Sequence, residues 1–301
     1  MADLDSFLAR AERLLQRLEA VLPHPPAAPD WAASIAFRYR KRGASGVLEP
    51  VRHVATIRLE ALVEVEPQKE RLLRNTAQFV AGHGANNVLL TGARGTGKSS
   101  LIKAVLNEFA PQGLRLIEVD KADLVDLPDI VDLVASRPER FIVFCDDLSF
   151  DEGEPGYKAL KSILDGSVAQ ASDNVLIYAT SNRRHLLPEY MKENLTYQHT
   201  EDGEVHPGEV VEEKISLSER FGLWISFYPF TQAEYLAIVA QWLGHHGLTG
   251  AQIEAARPEA LVFALERGSR SGRVAYQFAR DLAGRDGRFL LTSRPAGKVY
   301  A

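Results

Sequence analysis

An α/β fold, with a parallel sheet flanked by helices and a small helical domain behind it, is what this sequence predicts. Three observations carry the prediction. The stretch GARGTGKSS (92–100) matches G-x-x-x-x-G-K-[ST], with Gly92, Gly97, Lys98 and Ser99 in the fixed places. An apolar run, Val88-Leu89-Leu90, stands before it, and Leu101, Ile102, Val105, Leu106 and Phe109 follow at helical spacing. Further on, FIVFCDD (141–147) is a short apolar run that ends in two carboxylates, as expected of a parallel strand buried on both faces.

Strand, glycine loop and helix N-terminus together make a place for phosphates. Glycines let the backbone turn tightly with N–H groups facing inward, and the helix end adds partial positive charge. In this reading Gly92, Gly95, Thr96, Gly97, Lys98, Ser99 and Ser100 surround the phosphates of a bound nucleotide. Lys98 reaches the β and γ phosphates, and the Ser99 hydroxyl holds Mg²⁺. The competing reading is a glycine-rich turn between two core elements.

With 301 residues the chain can build a sizeable core and two domains. Its 46% hydrophobic and 25% charged content are ordinary for a soluble globular protein. A net charge of −5 and a pI near 5.9 argue against wholesale nucleic-acid binding but leave room for a local patch. A single cysteine, Cys145, excludes an intrachain disulfide and fits a cytoplasmic location. No apolar run approaches the ~18 residues of a membrane span. MADLDSFLARAERLL (1–15) lacks the basic start and unbroken apolar segment of a signal peptide.

Three regions follow. Residues 1–50 hold an amphipathic helix over 4–22, a Pro-rich linker and a basic segment. The helix is expected to dock on its own domain or on a partner. In AFRYRKRG (36–43), Arg38, Arg40, Lys41 and Arg42 alternate with Phe37 and Tyr39, so nucleic acid is one candidate partner and a solvated basic face the other reading. Residues 51–230 are the nucleotide-binding α/β domain. It opens with a mixed helical pattern over 59–79 and carries strands at 88–90, 114–120, 141–147, 175–178 and 223–228, with a helix over 124–136. A full strand-helix unit lies between the loop and the aspartates, so another strand, 175–178, is expected to separate the two catalytic strands. Residues 231–301 form a helical lid with helices from a Thr231–Glu234 capping box, over 249–265 and over 272–282.

The ends of parallel strands hold ligands, and this places the remaining candidates. Asp146 would reach Mg²⁺ through water, and Asp147 would polarise the attacking water; a solvated turn is the alternative. Asn182, just past the 175–178 strand, would hold that water from the other side or cap the next helix. Arg220 precedes the last strand and would reach a neighbouring copy's γ phosphate; an ion pair with Glu219 competes. Arg273 opens the last helix and would report the state of the nucleotide. Cys145 is most simply a buried strand residue. The polar stretch 199–214 is an exposed insertion whose His199 and His206 are better read as solvated than as metal ligands. His245 and His246 suit the C-terminal end of a helix dipole. From Arg267 onward eight Lys/Arg face two Asp/Glu, a net +6 that would suit the nucleotide, a neighbouring subunit or nucleic acid.

With these residues in place the chain resembles AAA+ ATPases over about residues 50–285. The shared features, in order, are GARGTGKS, FIVFCDD, ATSN, the arginine of SERFG and the arginine of GRVAYQF. The details SNRRHLLPEYM and SERFGLWISFYPFTQAEYL closely resemble an uncharacterised bacterial AAA+ family, described only as a domain of unknown function. The resemblance implies a P-loop fold with a five-stranded parallel sheet and a helical lid. It makes Asp146 and Asp147 Walker B, Asn182 sensor 1, Arg220 an arginine finger and Arg273 sensor 2. Most AAA+ motors have glutamate where Asp147 stands. The initiator and helicase-loader branches also resemble this Asp-Asp form, so the resemblance still implies hydrolysis, slowed by a carboxylate one methylene shorter.

The expected function is ATP hydrolysis with Mg²⁺ by a homo-oligomer, a hexamer among its forms, acting on an unidentified protein client. A nucleotide-gated binding module with little hydrolysis and a P-loop small-molecule kinase are the rivals. A kinase lid of arginines between strands is not evident. DKAD (120–123) mimics a guanine-specificity motif but precedes the Walker B strand, where that motif should follow it.

Overall fold

Alternation and continuous apolar runs decide which segments pair. The computed structural model describes residues 7, 8, 10–13, 29–42, 45–150, 154–165, 173–183, 198–199, 205–206 and 217–285. Among these the strands are β1 (Ala36–Arg42), β2 (Ser45–Pro50), β3 (Val88–Gly92), β4 (Leu114–Glu118), β5 (Arg140–Cys145), β6 (Val175–Ser181) and β7 (Leu223–Phe227). They form one seven-stranded sheet in the order β2-β1-β4-β5-β6-β3-β7. All neighbours run parallel except β1 and β2, which pair antiparallel. The five expected strands are its β4-β5-β6-β3-β7 portion, and β6 does separate β5 from β3.

The helices are α1 (Glu66–Val80), α2 (Lys98–Phe109), α3 (Leu127–Val134), α4 (Pro155–Asp165), α5 (Gln232–His245), α6 (Gly250–Glu266) and α7 (Gly272–Arg285). One core lies on the α1 and α2 face of the sheet, where Leu72, Phe79, Leu101 and Val105 meet Leu90 and Phe144. Tyr235, Phe278 and Ala260 of the last three helices continue the same core. A second core on the other face joins Ile130, Val134 and Leu160 to Phe141, Val143 and Ile177. The sheet is therefore covered on both sides, which is why its central strands carry no polar alternation.

The two added strands correct the reading of the basic segment. Phe37 and Tyr39 are 0% and 6% exposed, so their rings belong to the core and have no surface on which bases could stack. Arg38, Arg40 and Arg42 stand on the other side of the alternation, Lys41 on the side of Tyr39, and all four meet carboxylates. Arg38 pairs with Glu118 at 2.6 Å, Arg40 with Asp120 at 3.0 Å, Lys41 with Asp126 at 2.9 Å, and Arg42 with Glu49. Such half-exposed pairs contribute roughly 0–1 kcal/mol each, whereas burying an aromatic side chain contributes about 1.5–3 kcal/mol. Aromatic burial holds this edge in place.

Other boundaries moved for local reasons. The helical pattern over 59–79 is broken, with a 3₁₀ turn at Leu59–Ala61 and a new start at Glu66, because Pro67 sits in the first turn of α1. The helix expected over 124–136 begins as a 3₁₀ segment and becomes α3 only at Leu127, followed by Pro128. α5 opens on the expected capping box of Thr231 and Glu234. Residues 198–199 and 205–206 make a short antiparallel ladder. Phe7 and Leu8 are helical and exposed; most of the expected 4–22 helix, most of the 199–214 insertion and the chain beyond 285 lie outside the described residues.

Asparagines fix the approach to β3. Asn75, 4% exposed, donates through Nδ2 to Asn86 O at 2.9 Å and accepts from Asn86 N at 3.0 Å. The buried Tyr178 hydroxyl accepts from Asn75 Nδ2 at 3.1 Å and lies 2.8 Å from Thr76 Oγ1. Asn75 and Thr76 both keep other partners when that hydroxyl is lost, so Tyr178→Phe should cost about 1 kcal/mol. Asn75→Ala strands two backbone groups and should cost about twice as much or more. Urea unfolding curves measure both, and an Asn75→Ala variant as stable as the parent would contradict this role.

Candidate active site

β3 runs into the glycine loop, and α2 leaves it, so the loop is fixed at both ends. Gly92 has φ 125°, and a Cβ there would stand 1.8 Å from the carbonyl oxygen of Phe227 in the paired strand β7. Gly95 has φ 74°, and a Cβ on it would stand 2.9 Å from Ser271 Cβ, at the start of the lid helix α7. Gly95 O also accepts from Gly272 N at 2.9 Å. The lid thus rests on the loop itself. Gly97, left-handed at φ 99°, precedes α2, whose first amides have no partner within the helix.

Lys98 is 6% exposed. Its Nζ donates to Gly92 O and Ala93 O at 2.8 Å each and to Asn182 Oδ1 at 3.0 Å. Burial pulls this ammonium below its ordinary pKa; Asp147 and Asp146 oppose the shift and Arg94 adds to it. Asn182 Nδ2 in turn donates to Asp147 Oδ1, so amide, ammonium and carboxylate form one chain of contacts. Thr96 Oγ1 donates to Ala93 O at 2.8 Å and braces the loop from within.

The second carboxylate faces the other hydroxyl. Ser99 Oγ donates to Asp146 Oδ1 at 2.6 Å, and Thr180 Oγ1 donates to the same oxygen at 2.6 Å. Thr180 Oγ1 also accepts from Asp147 N at 2.9 Å. Asp147 stands in a left-handed conformation, φ 51°, which few non-glycine residues adopt without support. That support comes from Thr180, whose carbonyl accepts from Leu148 N at 2.7 Å.

The structure brings Lys98, Ser99, Asp146, Asp147 and Asn182 together at the C-terminal ends of β3, β5 and β6. Arg273 is exposed on α7, with its Cβ 3.6 Å from the place a Gly95 Cβ would take. Arg220, beside a helical turn before β7, donates through Nε to Asp165 at the end of α4, in place of the Glu219 pair considered from the sequence. Thr180 was not singled out in the sequence. A signal was there, since Thr180 is the last but one residue of β6 and lies two before Asn182, which stands just past the strand. Ser271 gave none, because its contact with Gly95 joins segments far apart in the chain.

Ser99 and Asp146 offer hard oxygen donors of the kind Mg²⁺ takes together with water and phosphate. Among the described residues there is no cluster of three or more His, Cys, Asp or Glu of the kind that holds a metal ion on its own. Also among them, no helix is long and apolar enough to cross a membrane.

A family model described as "Protein of unknown function (DUF815)" matches residues 32–286. No curated protein matches the sequence. Two variants of RuvB from Thermotoga maritima are similar in structure. One is 17% identical, covers 78% of this chain and 67% of its own, and gives a TM-score of 0.51. The other is 15% identical, with 78% and 68% covered and a TM-score of 0.51. At that identity the likeness is one of fold, that of P-loop AAA+ proteins.

Cys145 ends β5 beside these carboxylates and is 1% exposed. Burial pushes its thiol up to about 12, with Asp146 adding to the shift. Thiolate is therefore scarce at pH 8, and Ellman's reagent should report no thiol in the folded protein and one after denaturation. Rapid reaction of the native protein at pH 8 would show that this strand end is open.

Proposed function

We propose that this chain, which belongs to the DUF815 family, binds ATP in the loop at 92–100 and hydrolyses it at sites shared between copies in a homo-oligomer. The energy would serve to remodel or regulate a macromolecular client. The observation that carries this reading is the joint placement of Ser99 on Asp146 and of Lys98 on Asn182 and Asp147. Phosphate-binding and water-activating groups then stand within hydrogen-bond reach of one another, as in-line attack on a γ phosphate requires.

Each group has a task. The N–H groups of the loop, from Gly92 and Gly95 through Thr96, Gly97 and Ser100, would hold the phosphates, and Lys98 would exchange its loop carbonyls for β and γ oxygens. Mg²⁺, held by Ser99 directly and by Asp146 through water, would supply charge to the β and γ oxygens. Asp147 would accept the proton of the attacking water, which Asn182 steadies, and ADP and phosphate result. For this Asp147 must release the Asn182 amide it accepts from here. Arg220 would leave Asp165 for a neighbour's γ phosphate, and Arg273 would meet the nucleotide from the lid.

A nucleotide-gated binding module with little hydrolysis is the second reading. It is favoured by Asp147, one methylene shorter than glutamate and tied to Asn182. The segment Arg38–Arg42 lends no support to a nucleic-acid client, since its cations already meet carboxylates of this chain.

Lys98→Ala should abolish ATP binding and turnover. Arg220→Ala should leave ATP affinity within about twofold while phosphate release falls by about 10³-fold or more. Parental turnover in that variant excludes the shared site, and undetectable turnover in the parent with tight ATP binding favours the second reading. Thr180→Val should weaken Mg²⁺-dependent ATP binding by about tenfold, with metal-free ADP affinity unchanged, in a titration with and without chelator.

A further inference from the structure

Beside the groups just described, and sharing Thr96 with them, lies a cavity of about 450 Å³ between the phosphate loop and the lid. Arg94 and Thr96 of the loop, Phe230 after β7, and Ser269 and Arg270 before α7 are among its lining residues. Its two charged lining residues are both arginines; no Asp or Glu lines it. Among the described residues neither Arg94 nor Arg270 has a hydrogen bond or an ion pair, whereas Arg38, Arg40, Arg42, Arg137 and Arg285 are all paired with carboxylates. The two arginines come from opposite walls, one from the loop and one from the lid, which touch through the Gly272–Gly95 bond.

Two arginines lining one cavity without an acid raise its positive potential, and the walls that carry them are held together by a separate contact. A dianion between them neutralises that potential and takes two planar forks of N–H donors at once. We propose that Arg94 and Arg270 form a phosphate-dianion site shared by loop and lid. Its occupant is either the terminal phosphate of the bound nucleotide or the inorganic phosphate that hydrolysis releases. The origin of that phosphate rests on the ATPase reading above; the site itself does not. Occupancy draws the lid onto the loop, so loss of the phosphate loosens the lid.

Titrations of the full chain with ADP, with a non-hydrolysable ATP analogue, and with inorganic phosphate added to the ADP-loaded protein test this in the parent, Arg94→Gln and Arg270→Gln. Both arginines are exposed, so the variants should fold, and ADP affinity should stay within twofold. If the terminal phosphate is the ligand, affinity for the ATP analogue falls at least tenfold in both variants and free phosphate has no saturable effect. If released phosphate is the ligand, the parent binds it saturably, both variants lose at least tenfold, and the ATP analogue is unaffected. Arg270→Lys, which keeps the charge but not the fork, should fall between. The site is overturned if all three affinities stay within twofold of the parent, or if all three fall together, which marks a disturbed loop. A parent that binds neither nucleotide removes the ATPase reading, and the phosphate titration, repeated on the unloaded chain, then decides the site alone.

Discussion

One carboxylate oxygen ties the site together. Asp146 Oδ1 accepts from Ser99 on α2 and from Thr180 on β6, each at 2.6 Å. A helix and the ends of two paired strands are thereby held to a common point. Charge-assisted hydrogen bonds of this length are roughly twice as strong as neutral ones. Thr180 then passes the constraint on by accepting from the backbone of Asp147. The positive φ of Asp147 follows from that bond, and with it the position of the carboxylate that Asn182 grips. Loosening the node would move both acids with respect to Lys98.

The glycine pattern serves two demands at once. Gly92 is needed because β7 runs so close that any side chain would meet the Phe227 carbonyl, a demand of strand pairing. Gly95 is needed because Ser271 and Gly272 of the lid lie against it. A loop conventionally explained by phosphate alone is here also a surface on which two parts of the chain meet. Because Tyr235 and Phe278 of the lid share a core with α1 and α2, that meeting is held by apolar packing and not by the single backbone bond.

The edge of the sheet shows how one residue pattern admits more than one reading. Alternating cations and aromatics over 36–42 suited both a nucleic-acid grip and a strand with one buried face. Tyr39 decides between them: it is 6% exposed, burial raises its hydroxyl to about 12, and that hydroxyl donates to Asp126 at 3.1 Å. Glu49, the partner of Arg42, is seven residues away, but Glu118, Asp120 and Asp126, which neutralise the other three cations, lie about eighty residues further on, beyond any local window.

Local signals were therefore enough for whatever local chemistry enforces. The loop, the buried strands, the order of the acids and the capping box of α5 depend on neighbours within a few residues, and each was legible. So were the positions of Lys98, Ser99, Asp146, Asp147 and Asn182, because the ends of parallel strands hold them by construction. Packing decided the rest: that β1 and β2 extend the sheet, that Thr180 joins the two acids, that Gly95 supports the lid, that Arg220 meets Asp165 and that Arg94 shares a cavity with Arg270. Each of these is a contact between residues dozens of positions apart. Its existence depends on burial and distance, which a one-dimensional pattern does not contain.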